Sequence, residues 1–574
     1  MDSMNSTSFD ETLFDWAEYS VFSLMLATSS VIGLYFGCFK QQDSVSEYLL
    51  GGKRMGMVPV AVSLVSSYIS GVTLLGVPTE IYTYGTQFFL ANVTNAFVGG
   101  VTATLFLPVF YKLQLVSLYE YLERRFNYKI RVIASLLNAL SLITFVPIVI
   151  YGPALAFNQV SGANIHIITA VLCAVCIFYT TLGGLRAVVW TDTLQGFLML
   201  CSAIAVLVLG FNSVGGFTKV LDAAQEGGRI EFLVMDPDPT LRMSFWSVTF
   251  GLFFTWTAQL AVNPGVVQRF ISVSSYRQAY RSIILMTIGV IIFAILSMTL
   301  GLVMYTAYQS CDPLTAKIIS RRDQILPLFV TNVAKQVRGL PGLFIAGIVS
   351  AALSTMSTSL NTIAGTVFED FISPFLPPKI REEYAGKIMR IIVLVTGAIC
   401  VLMVMVIENM GQILEMASSF GGVTTGTSLG IFILGILFPC ANTPGAFVGG
   451  LFSISLMTWI MAGNQVAAVK GLLKYPVKPM RVDGCQSFVN LTSMASVEAV
   501  EQVFWPFRIS VFHYGLIGCL SVLVIGIPVS LLTPGIRPKT NPELFSPWVR
   551  RWLPEDGETC SIPLDEQHTE YKTA

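Results

Sequence analysis

Ser-Leu-Val-Ser-Ser-Tyr-Ile-Ser-Gly-Val-Thr-Leu-Leu-Gly-Val-Pro, residues 63 to 78, lies in a segment apolar enough for a bilayer yet holds four serines, two glycines and a proline. Irregular backbone at membrane depth is tolerated only where it is buried in protein or lines a cavity. A second interruption, Thr-Trp-Thr-Ala-Gln-Leu-Ala-Val-Asn-Pro-Gly at 255 to 265, follows five spans later. In transporters built from two inverted five-helix repeats, the first helix of each half is discontinuous, and its freed backbone groups bind ions and substrate near the midplane. The paired breaks therefore predict an all-α polytopic membrane protein with a five-plus-five inverted repeat, its halves at about 57–211 and 244–438. The bland alternative for each Gly and Pro is close helix packing or a tolerated kink.

The rest of the chain agrees with a membrane setting. Its 574 residues are 54% hydrophobic and 12% charged, and the mean hydropathy is +0.69, outside the balance of a soluble domain. A spanning helix needs roughly 20 mostly apolar residues. Such segments fall near 17–39, 57–79, 86–111, 130–158, 163–182, 189–211, 244–267, 281–308, 341–368, 389–408, 413–438, 444–463 and 510–533, about 13 transmembrane helices in all. The expected organisation is a tail at 1–16, a membrane domain at 17–533 and a second tail at 534–574. The first span follows an acidic Ser/Thr-rich stretch without a cleavage site of small residues, so it reads as a retained helix.

Basic residues set the expected orientation. Lys40, Lys53, Arg54, Lys112, Arg124, Arg125, Lys129, Arg131, Arg186, Arg269, Arg277, Arg281, Lys379, Arg381, Lys387 and Arg390 cluster in loops on the side opposite the N-terminus. The positive-inside rule puts that side and the C-terminus in the cytoplasm and the N-terminus outside, in a plasma-membrane setting. Asn5 and Asn490, in Asn-x-Ser/Thr sequons, then face outward as glycosylation candidates. Asn92 also matches but falls inside a helix. All 34 Lys and Arg are expected clear of the membrane centre, which would leave a bound anion to helix N-termini, hydroxyls and co-bound cations. Cys311 and Cys485 fall in outer loops and could pair, while Cys173 and Cys176 read as buried packing.

Residues 350 to 362, Ser-Ala-Ala-Leu-Ser-Thr-Met-Ser-Thr-Ser-Leu-Asn-Thr, place seven hydroxyls and an amide in the ninth span. Ser350, Ser354 and Ser357 share one helix face, and such a face in hydrocarbon must meet protein, water or a cation. Neutral hard oxygens suit sodium.

Several stretches together resemble the sodium:solute symporter family, in the branch of monocarboxylate, multivitamin and iodide transporters. They are Ser-Leu-Val-Ser-Ser-Tyr-Ile-Ser (63–70), Tyr-Gly-Pro-Ala-Leu-Ala-Phe-Asn-Gln-Val (151–160), Thr-Leu-Gly-Gly-Leu-Arg-Ala-Val-Val-Trp-Thr-Asp (181–192), Val-Gln-Arg-Phe-Ile-Ser (267–272), Leu-Pro-Gly-Leu-Phe-Ile-Ala-Gly (340–347) and the hydroxyl-rich span. The resemblance runs from about residue 20 to 535 and implies a LeuT-type symporter with alternating access. It implies a sodium site of Ser66, Ile69 and Ala351 carbonyls with the Ser354 and Thr355 hydroxyls. These small residues could instead only permit close helix contact. It also implies a possible second sodium site at Asp192, Ser357 and Thr358, although Asp192 could equally be an N-terminal capping acid. A substrate is expected beside Tyr68, Thr73, Thr94, Asn95, Trp256 and Phe420. Thr73 and the stretch 311–317 look more like the monocarboxylate members than the iodide transporter. Asn263-Pro264-Gly265 departs from the related pattern, where a polar residue usually replaces the proline.

The expected function is thus sodium-coupled import of a small organic anion, such as lactate, a short-chain fatty acid or nicotinate. A multivitamin or iodide-type carrier is the alternative, and a sodium-permeable channel or a solute sensor the reading from another class. The expected partners are sodium, the anion and the bilayer, with no nucleic acid. Three histidines, no nucleophile with a neighbouring base and no nucleotide loop argue against an enzyme.

Overall fold

The computed structural model describes residues 14–553 apart from 40–44, 54, 116, 335–336, 408–412, 474, 486–502, 534–540 and 552. Asn5 and Asn490 lie outside the described residues. The helices that position the site are α1 (Trp16–Phe39), α2 (Met57–Tyr68), α3 (Gly71–Tyr84), α4 (Thr86–Leu113), α5 (Tyr128–Ser161), α6 (Ile165–Val214), α7 (Leu252–Ala261), α8 (Pro264–Ser272), α9 (Tyr276–Ala307), α10 (Leu340–Val367), α11 (Pro378–Ile407), α12 (Ile413–Leu437), α13 (Thr443–Val469) and α14 (Tyr514–Leu532).

Among the described residues nine helices are individually long and apolar enough to cross a bilayer, and the bent pair α2–α3 makes a tenth. The expected total of thirteen is reached because α6 holds two spans, α7 and α8 form a broken one, and α12 is the eleventh. Within the 50 residues of α6, Gly184 has φ 51° and ψ −156°. Only glycine adopts that region without strain, so the chain turns back there between the fifth and sixth spans.

Both expected breaks are present, each with a local cause. After the Ile69 N–H donates to Val65 O, the helical ladder lapses and resumes with the Thr73 and Leu74 N–H groups on Ser70 O. Ile69 and Ser70 are extended, and α2 and α3 meet at 56°. At the second break Asn263 is extended and its side-chain oxygen accepts the Gly265 N–H, with Pro264 at the first helical position. A proline costs nothing there, because that N–H would lack a helical partner anyway. The departure Asn-Pro-Gly is thus an ordinary helix start.

α10 is buried along nearly its whole length against α6, α5 and α1. Helices α12, α13 and α14 approach through glycines: a Cβ on Gly426 would lie 2.7 Å from Gly515 O, and one on Gly445 2.4 Å from Gly526 O. Close contact through small residues is how membrane helices associate without a hydrophobic drive.

Each face of the bundle is tied down. On one, Cys311 and Cys485 form a disulfide; we call this the disulfide face. On the other, the tail face, residues 541–551 dock instead of hanging free. Phe545 is fully buried, Tyr121 donates to Leu544 O at 3.0 Å, and the Ser546 N–H donates to Ile436 O. Arg125, also buried, donates to the carbonyls of Gly435, Phe438 and Ala441 at the end of α12, with the rings of Phe126 and Phe545 4.9 and 4.8 Å from its guanidinium carbon. Lys112, hydrogen-bonded to the exposed Glu543, holds that carboxyl below the usual carboxylate range.

Candidate functional site

The break between α2 and α3 faces the hydroxyl row of α10. Thr355 Oγ1 reaches Ser67 O at 3.1 Å and Ala351 O at 3.0 Å, and Ser354 Oγ lies 3.1 Å from Ser67 Oγ. Ile69 and Ala351 share one buried cluster. Ser354 and Thr355 thus meet the end of α2 at Ser67, and Ser66 is its neighbour in the chain on the side that faces α6. The hydroxyl of Ser66 points elsewhere, donating to Asp192 O at 2.8 Å. The donor set is neutral oxygen throughout, which fits a hard monovalent cation. Ser350 Oγ, buried one turn away, has no partner.

Asp192 lies on α6 beside this junction and is fully buried. Its Oδ2 accepts from Ser63 at 2.9 Å, lies 3.1 Å from Ser67 Oγ, and accepts from Arg269 Nη2 at 2.9 Å. Arg269 also donates to Ser67 Oγ at 2.7 Å and to Thr358 Oγ1. Of the possible second-site residues, Asp192 and Thr358 thus meet through a guanidinium, while Ser357 donates to Ser354 O within α10.

Arg269 corrects the expectation that the membrane core holds no basic residue. Its linear position implies a loop, but α8 carries it inward and buries it completely. A lone charge there would be prohibitive, and Asp192 is the partner that makes its burial tolerable.

On the tail-face side of the break a cavity of about 120 Å³ opens between α2, α5, α7, α8, α10 and α12. Tyr68, Asn138, Gln259, Asn263, Thr358 and Thr424 represent its lining. The Tyr68 hydroxyl and Asn138 Nδ2 have no hydrogen-bond partner in the chain. Of the expected substrate residues whose side chains are described, Tyr68 alone lines it. Thr94 donates to Val248 O at 3.2 Å, Asn95 is buried, and Trp256 meets Phe88 edge-on at 6.4 Å, all in the half nearer the disulfide face. Thr73 lies on α3 beyond the break. Phe420 falls on α12, and its side chain is outside the described residues. The lining residues not anticipated carried a signal: Gly-Gly-Val-Thr-Thr-Gly-Thr-Ser at 421–428 is a second hydroxyl-rich run in an apolar span.

Comparison with known proteins places this geometry in context. A family model described as the sodium:solute symporter family matches residues 48–453. Sodium-coupled monocarboxylate transporter 1 of Homo sapiens is 37% identical over 92% of this chain and 88% of its own length. Sodium-coupled monocarboxylate transporter 2 of Mus musculus is 36% identical over 93% of this chain and 87% of its own. The sodium-dependent multivitamin transporter of Oryctolagus cuniculus is 35% identical over 94% and 86%. Among solved structures, a substrate-bound, outward-open sodium-coupled sialic acid symporter aligns with a TM-score of 0.73 at 26% identity, over 90% of this chain and 98% of that one. The nucleobase-cation symporter Mhp1 aligns with a TM-score of 0.55 at 12% identity, over 88% and 97%, a likeness of fold alone.

Proposed function

We propose, from the premise that the chain belongs to the sodium:solute symporter family, that it imports a small monocarboxylate, such as lactate, a short-chain fatty acid or nicotinate, together with sodium across the plasma membrane. The observation that carries this reading is the broken α2–α3 span set against the α10 hydroxyls and opening on a small polar cavity.

In this reading the Ser66, Ile69 and Ala351 carbonyls and the Ser354 and Thr355 hydroxyls hold a sodium ion. They replace part of its hydration shell and join α10 to the break. The disulfide face is extracellular, so the cavity faces the cytoplasm. The hydrogen-bond donors left open on Tyr68 and Asn138 suit a carboxylate, and the cavity's small size favours a compact anion. A second ion at Asp192, Ser357 and Thr358 would carry net charge inward, worth about 2.3 kcal/mol per charge per 100 mV. The chain does no covalent chemistry and is a carrier, not an enzyme. The multivitamin relative, nearly as similar, makes biotin and pantothenate the second class of solute to test.

The test is uptake of labelled lactate, nicotinate, biotin, pantothenate and iodide, with and without sodium, alongside current recording. Sodium-stimulated uptake of lactate or nicotinate is expected. Uptake unchanged when choline replaces sodium would end the symport reading, and currents without uptake would make the chain a sensor.

A further inference from the structure

We propose that Arg269 is a built-in stand-in cation. Its guanidinium and a sodium ion are alternative partners of Asp192, and the guanidinium, once displaced, becomes the counter-ion of the carried carboxylate. The inference rests on the symport reading and deepens it.

The geometry supplies three reasons. Arg269 Nη2 bridges Asp192 Oδ2, at 2.9 Å, and Thr358 Oγ1, so a positive charge already stands where a cation bound by those two groups would sit. The pair leaves hydrogen-bonding capacity open, because Asp192 Oδ1 and Arg269 Nε are buried with no hydrogen bond. The other guanidinium nitrogen donates to Ser67 Oγ at 2.7 Å, and Ser67 and Thr358 both line the cavity. Arg269 therefore stands one hydroxyl layer behind the space where the solute sits.

Charge bookkeeping then couples the two cargoes. Sodium alone on Asp192 leaves a bare guanidinium in a buried setting, and an anion alone meets a guanidinium already neutralised. Of the loaded states, only the one with sodium and anion together leaves every buried charge paired, which is the arrangement burial demands. On the empty return step Arg269 covers Asp192 again.

The experiment uses the full chain in proteoliposomes and reads labelled lactate uptake and its competition by lactamide, the uncharged analogue, in sodium and in choline. Four proteins are compared: wild type, Asp192→Asn, Arg269→Gln and the double variant. Asp192→Asn is expected to raise lactate affinity in choline about tenfold or more, because the guanidinium is permanently free. Arg269→Gln is expected to weaken lactate affinity in saturating sodium about tenfold or more while leaving lactamide competition unchanged. Wild-type lactate affinity in Arg269→Gln, or wild-type sodium dependence of that affinity in Asp192→Asn, would overturn the proposal. If either single variant fails to insert because it strands a buried charge, the double variant, which strands none, decides. Equal competition by lactate and lactamide supports the proposal, and wild-type preference for lactate overturns it. Sodium-independent uptake by the wild type would overturn this proposal and the symport reading together.

Discussion

Arg242 grips Glu80 through two hydrogen bonds, Nε to Oε1 at 2.6 Å and Nη2 to Oε2 at 3.1 Å, and both side chains are buried. Glu80 ends the first broken span and Arg242 precedes the second, so the pair fastens the two inverted halves at the disulfide face. The rings of Tyr84 and Tyr475 lie 4.6 and 5.1 Å from the guanidinium carbon. Removing one partner of a buried pair costs about 3–5 kcal/mol. Glu80→Gln should therefore favour states open at this face. The check is the rate at which an impermeant thiol reagent, applied at the disulfide face, modifies a cysteine placed at Thr73. Acceleration is expected, and an unaltered rate would remove the latch role.

Ser354→Ala and Thr355→Ala should each weaken sodium activation without lowering surface abundance. Loss of one ligand or hydrogen bond worth about 1–3 kcal/mol corresponds to roughly a 5- to 150-fold rise in half-activating sodium. Normal activation in both variants would contradict the first-site assignment.

The Cys311–Cys485 link closes a sequence separation of 174 residues and is flanked by the bonds Asp312 N–H to Arg481 O at 2.8 Å and Gly484 N–H to Ser310 O at 3.0 Å. Replacing both cysteines by serine should cost about 2–4 kcal/mol and lower the thermal unfolding midpoint of the purified protein. Sodium activation of the surviving folded fraction should be unaltered. An undiminished midpoint would show that the neighbouring backbone bonds suffice.

Phe545→Ala should destabilise the tail face by about 3 kcal/mol, the scale of emptying a buried aromatic site. Phe545→Leu, which refills part of the volume, should recover some of that loss. Arg125→Lys should not behave as a conservative change, because an ammonium cannot reproduce a planar fork on three carbonyls. Melting curves of the three variants decide, and wild-type stability in Phe545→Ala would mean the docked segment contributes little.

Much of this architecture is legible in the sequence. The breaks at Ile69–Ser70 and Val262–Asn263 were announced by Ser, Gly and Pro, whose effects on backbone are local. The α10 hydroxyls announced themselves by being polar in an apolar run. Arg269 departs from its expected loop because distance along the chain from an apolar segment says nothing about which partner a folded helix end finds. Glu80 is 162 residues from Arg242, a separation no periodicity spans. Thr94, Asn95 and Trp256 lie nearer the disulfide face than the cavity does, and sequence does not reveal at which level a cavity opens. The polar run 421–428 carries the same kind of signal as the ninth span.

The seat for Phe545 has a bearing on biosynthesis. Tyr121 and Leu544, which it brings together, are 423 positions apart, so the end of α12 beside Arg125 can receive its cap only after residue 545 has been made. A product that stops before residue 541 would present an open socket around Arg125, a feature by which such copies differ physically from longer ones.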